Sequence, residues 1–81
     1  MKINFMRINE IEKLKTIHTK AKSKNKNLYA CVIPDNSIGM IKDELTLVKS
    51  VSENSFRISR MLDNTVIEIK SKYLDNFKFI Y

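Results

Sequence analysis

FRISRMLDNTVIEIKSKYLDNFKFIY, residues 56–81, is the stretch that decides the fold. In 56–62 the side chains of Phe56, Ile58, Arg60 and Leu62 alternate with Arg57, Ser59 and Met61, the two-residue period of a strand with one covered face. Asp63-Asn64 supplies the short polar side chains that tight hairpin turns favour. TVIEIK (65–70) then puts Ile67 and Ile69 on one face, and FKFIY (77–81) puts Phe77, Phe79 and Tyr81 on one face. Three strands in 26 residues leave no room for helical crossovers, so the pairing is antiparallel.

Working towards the N-terminus, ELTLVKSV (44–51) is β-branched and apolar, and Glu53-Asn54-Ser55 reverses the chain. LYACVI (28–33) is a continuous apolar run of strand length, stopped by Pro34-Asp35-Asn36-Ser37. SIGMI (37–41) reads either as a short strand or as one arm of a long loop. Five closely spaced strands predict a strongly bent sheet or small barrel, because closure protects edges that a flat sheet exposes.

Before residue 28 the period changes. Ile11, Leu14, Ile17, His18 and Ala21 recur at spacings of three and four, one face of an amphipathic helix over about residues 10–24. Asn9 with Glu12 makes a capping-box pattern, and the last turn of lysine, serine and asparagine is expected to fray. KINFMRI (2–8) is either an edge strand or a lead-in to this helix. The chain is thus expected to be a single α+β domain over 1–81, an N-terminal helix packed on a five-stranded antiparallel sheet or barrel.

Charge divides along the same line. Residues 1–27 carry eight basic side chains against two acidic ones, and residues 28–81 carry seven of each, so the whole formal net charge of +6 belongs to the N-terminal third. On the helix, Lys13, Lys20 and Lys24 line one flank of the apolar stripe and Lys15, Lys22 and Lys26 the other, with Glu12, Thr16, Thr19 and Ser23 opposite it. Lysines that border a buried stripe either cover its edge with their methylene stems or concentrate positive field for an anionic partner.

The composition excludes several classes. One glycine and one proline leave no phosphate-cradling loop and no flexible linker. The single cysteine, Cys31, allows no internal disulfide, and with one histidine, His18, there is no set of zinc ligands. No apolar run approaches the roughly 20 residues of a membrane span, and the chain is read as cytoplasmic.

From Leu28 onward the sequence resembles a Src-homology-3-type barrel. Leu28-Tyr29-Ala30 matches the first strand and its aromatic, residues 34–43 the long first loop, and Asp43-Glu44-Leu45-Thr46-Leu47 the acidic-then-apolar entry to the second strand. Ser71-Lys72-Tyr73-Leu74 resembles the single-turn helix that this family places before its last strand. The resemblance implies a small barrel acting as a generic binding module. Tyr29 and Tyr73 match groove aromatics, whereas Ser55-Phe56 stands where the family has a tryptophan and Lys70 where it has a proline. These departures fall on the proline-rich ligand pocket.

Among single residues, Cys31 lies in the most apolar strand and is read as packing; His18 borders the helix stripe. Glu44, Asp63 and Glu68 occupy turn or strand positions typical of solvated charge, and no polar constellation marks an enzyme. The expectation is a non-catalytic module, without cofactor or metal, that contacts nucleic acid or another anionic surface through Lys13, Lys15, Lys20, Lys22, Lys24 and Lys26, helped by Arg57 and Arg60. Tyr29, Phe56 and Tyr73 are candidate stacking or groove aromatics. The alternative is a small phage or mobile-element protein, in keeping with the abundant Lys, Ile and Asn, that inhibits or adapts a host protein such as a defence nuclease through an acidic protein surface.

Overall fold

The computed structural model describes residues 5–33, 40 and 43–81. One helix, α1 (Ile11–Ser23), precedes strands β1 (Tyr29–Val32), β2 (Leu45–Val51), β3 (Ser55–Arg60) and β4 (Val66–Lys70); a 3-10 helix (Ser71–Asn76) then leads into β5 (Phe77–Ile80). All pairings are antiparallel, in the order β4-β3-β2-β1-β5. The ends of that order do not pair, so the sheet is open. The α+β architecture is the one the sequence predicts; SIGMI (37–41) lies, but for Met40, outside the described residues.

The sheet is nevertheless bent over its own core. β3 and β5 stand three places apart in the sheet, which is about 14 Å in a flat one. Yet the Phe56 ring of β3 lies 5.5 Å from Phe77 and 6.0 Å from Phe79 on β5, both edge to face. Curvature comes from irregularities in β2. Its register against β3 shifts between Val48 and Ser50. At its entry Asp43 donates to the Val32 carbonyl while Val32 donates to the Glu44 carbonyl, each at 2.9 Å, with Asp43 at φ 63. Two residues opposite one, the first of them left-handed, make a bulge, which bends a strand and increases its twist.

Alternation sorts the strands as the sequence implies, except that β3 ends at Arg60 and Leu62, expected on the covered face with Phe56 and Ile58, is 71% exposed in the turn that follows. Val48, Phe56, Ile58, Ile69, Phe77 and Phe79 face inward with Ala30 and Val32, and α1 adds Leu14 and Ala21 to the same cluster. The helix therefore covers the inner face of the sheet, alongside β2. Before it, Met6 exchanges two backbone hydrogen bonds with Phe79, each 2.8 Å, so the lead-in adds a single bridge to the outer edge of β5.

Both helix ends differ from expectation. The helix starts after Glu10, one residue later than the capping box requires, and no side chain caps it. Burial of Ile8 at 3% exposure fixes where the chain enters, and Glu10 turns to Lys13 instead. At the other end the last turn is closed by hydrogen bonds: Lys26 N–H donates to the Ala21 carbonyl and Asn25 N–H to the Lys22 carbonyl, with Asn25 at φ 57. That is the Schellman pattern with asparagine at its left-handed position, and it turns the chain into β1.

Candidate anion-binding surface

The amphipathic pattern of α1 places its lysines. Leu14 and Ala21 are buried, and Ile11, Ile17 and His18 are half-buried on either side of them. Lys13, Lys20 and Lys24 project about 100° to one side of that line, and Lys15 and Lys22 about 100° to the other. All are exposed, as is Lys26 just beyond the C-terminus.

Among the described residues Lys13 alone of these has a carboxylate within salt-bridge distance: Glu10, at 3.9 Å, with both side chains more than 60% exposed. Such a pair contributes about 0–1 kcal/mol and leaves the ammonium largely solvated. Among the described residues, Lys15, Lys20, Lys22, Lys24 and Lys26 have no carboxylate within salt-bridge distance. Their charge is directed outward.

Between the two lysine rows lies a hydroxyl strip. Thr16, Thr19 and Ser23 are exposed and donate their hydroxyl protons to the carbonyls of Glu12 (3.1 Å), Lys15 (3.0 Å) and Lys20 (2.7 Å). With those protons committed, the oxygens can only accept. Lys15, Thr16, Thr19, Lys20 and Ser23 together border a shallow depression on this arc.

The other sequence-predicted residues do not join this surface. Arg57 is exposed on the outer face of the sheet, opposite Glu68 across the β3–β4 pair, while the helix covers the inner face. Arg60 points inward, where its guanidinium binds the Glu44 carboxylate through two hydrogen bonds, Nη2 to Oε1 at 2.8 Å and Nε to Oε2. The Glu44 side chain is 6% exposed and that of Arg60 21%, so this pair closes one end of the core and the guanidinium is engaged within the protein. Its hydrogen bonds raise the guanidinium pKa further above its ordinary value. Glu44, read from sequence as solvated charge, shares the inward parity of Thr46 and Val48.

Phe56 is fully buried and offers no ring face to a base. Tyr29 stands on the outer face with its hydroxyl accepting from Asn27 at 3.4 Å, whereas Tyr73 packs against the core cluster with Lys72 over its ring at 5.1 Å. The three aromatics do not form one stacking platform.

His18 faces β2 from the helix. Burial, then the neighbouring Lys22 charge, hold its imidazole below the ordinary histidine pKa against a hydrogen bond to the Val48 backbone. Burial pushes the Cys31 thiol up, and its sulfur approaches the Asp43 carbonyl at 3.6 Å, as suits a packing residue. Among the described residues no group of histidine, cysteine and carboxylate side chains could hold a metal ion, and no helix is long and apolar enough to cross a membrane.

One feature escaped the sequence reading. Val66, Ser59, Leu47, Tyr29 and Ile80 are register partners across all five strands on the outer face. Val66 is 56% exposed, and Leu45, beside Cys31 on the same face, 42%. The signal was present in LTLV and TVIEI, where apolar residues occupy both parities of the strand.

No family model, characterised protein or solved structure matches this chain.

Proposed function

We propose that the protein is a non-catalytic module that binds nucleic acid through α1, carried on a small barrel of the Src-homology-3 type. The observation that carries the binding reading is the set of exposed helix lysines whose charge no carboxylate among the described residues balances, apart from the solvated Glu10. Phosphates that displace water from such a row release condensed counterions, the main source of affinity in nucleic-acid binding. Three features support the barrel reading: the strand order β4-β3-β2-β1-β5, the bulged second strand and the 3-10 turn before the last strand.

The test is a salt titration. The chain is expected to bind nucleic acid with an affinity that falls steeply between roughly 50 and 200 mM salt. K20Q/K22Q/K24Q should weaken binding and flatten the salt slope by about 3 while leaving the unfolding midpoint almost unchanged, since all three side chains are exposed. Binding that ignores salt, or that survives the triple variant intact, overturns the proposal.

A second reading is inhibition or adaptation of a host protein with an acidic surface by the same cationic helix; the apolar outer row lies on the opposite face and would be a separate protein contact. Competition separates the two. Polyglutamate matched in charge to DNA would displace DNA as well as DNA itself under this reading, and poorly under the first.

A further inference from the structure

We infer that α1 enters the major groove of duplex DNA. The inference rests on the nucleic-acid reading above and names which form the helix accepts. A flat anionic surface, such as a lipid headgroup layer or the face of a folded protein, meets one arc of a helix. Here the lysines occupy two arcs: Lys13, Lys20 and Lys24 on one flank, Lys15 and Lys22 on the other, with the uncharged Thr16, Thr19 and Ser23 between them. Two cationic rows separated by a strip that carries no positive charge fit a concave partner whose negative charge lies along two walls.

The dimensions agree. A helix with its side chains is about 10–12 Å across, and the B-DNA major groove is about 12 Å wide with a phosphate backbone on each rim. The 13 residues of α1 extend for about 20 Å, enough to lie across several base pairs. The major groove of duplex RNA is deep and narrow and does not admit a helix. Single strands are held by stacking on exposed aromatics, and α1 has none, while Phe56, Phe77 and Phe79 are in the core.

The central strip also has a definite chemistry. Because the Thr16 and Thr19 hydroxyls donate to the helix backbone, what they offer a groove is a methyl group and an accepting oxygen. These suit the thymine methyl and the amino groups of adenine and cytosine. Glu12, at the exposed start of the same arc, is a further acceptor for a cytosine amino group and is unfavourable next to phosphate, so it too belongs over the bases.

Fluorescence anisotropy of the intact chain with a DNA duplex of about 20 base pairs, an RNA duplex of the same sequence and the single DNA strand tests this, across the same salt range. The DNA duplex should bind at least tenfold more tightly than either of the others. K13Q/K20Q and K15Q/K22Q, one flank each, should each flatten the salt slope by about 2, to equal extents. Thr19→Trp, at the centre of the strip, should abolish the preference for duplex DNA, with circular dichroism confirming that the helix persists. Equal affinity for duplex RNA or the single strand, or one flank that can be neutralised without effect, overturns the groove assignment but leaves the cationic helix as a nucleic-acid binder. Failure of all three nucleic acids to bind at low salt overturns both.

Discussion

The two faces of the sheet differ by a single residue step along each strand, yet the helix covers only one of them. Inward, Arg60, Thr46, Ala30 and Phe79 are register partners beneath the helix; outward, the neighbouring row of Ser59, Leu47, Tyr29 and Ile80 is half-buried and faces away from it. The contrast teaches where the protein's charge is spent. The helix that seals the inner face brings the unbalanced lysines with it, so positive field and exposed apolar surface lie on opposite sides of the molecule. The strongest way to break the contrast is to change adjacent residues of β3. Phe56→Ala removes a ring packed against Phe77 and Phe79 and is expected to cost about 3–5 kcal/mol, most of the stability of so small a domain. Arg57→Ala, one residue on and exposed, should change stability by about 0.5 kcal/mol or less. Urea unfolding of both variants decides it, and comparable losses would mean that the outer face is structural as well.

A smaller but more telling effect is expected at the open end of the sheet. Arg60→Met removes the guanidinium that binds Glu44, whose side chain is 6% exposed, and leaves that carboxylate facing the core without it. The melting temperature should fall more than in Arg57→Met, although both changes remove one positive charge. DNA binding, by contrast, should be unaffected by Arg60→Met beyond any loss of folded protein. A specific loss of affinity in the folded variant would return Arg60 to the binding surface.

Strand and helix positions were legible in the sequence because each has a period. The alternation Phe56, Ile58, Arg60 assigns all three to the core side, and the structure follows it. The same alternation withdraws Phe56 and Arg60 from the candidate site, where residue type alone had put them. Position in the strand outweighed chemistry, since a ring or a guanidinium on the covered face is spent on the fold. The lysine rows were equally legible, because helical spacing fixes their direction from the stripe of Leu14 and Ala21. Two things were not. The Schellman turn at Asn25 depends on one left-handed residue in a polar run that reads as fraying. The bulge where Asp43 and Glu44 oppose Val32 depends on an aspartate taking a conformation more often given to glycine. Single backbone excursions of this kind leave no periodic trace.

The helix and the sheet meet at His18, and the smallest predicted effect measures how firmly. Its imidazole is held below the ordinary histidine value, first by burial against β2 and then by Lys22, so the packed state favours the neutral ring. The unfolded chain, with histidine near about 6.5, takes up the proton more readily. Stability from this contact is therefore complete above that pH and is lost as the pH falls through the lowered value of the folded state. Between about pH 7.5 and 5 the unfolding midpoint should decline in the native sequence and decline less in His18→Asn, where the titrating group is gone. Within that window Asp63 stays ionised, its pKa lowered by hydrogen bonds from Thr65. Parallel pH profiles for the two proteins would show that His18 is solvated alike in both states. The helix would then rest on Leu14 and Ala21 with Ile11 and Ile17 alone, and its lysine rows would be less firmly aimed than a groove-reading helix requires.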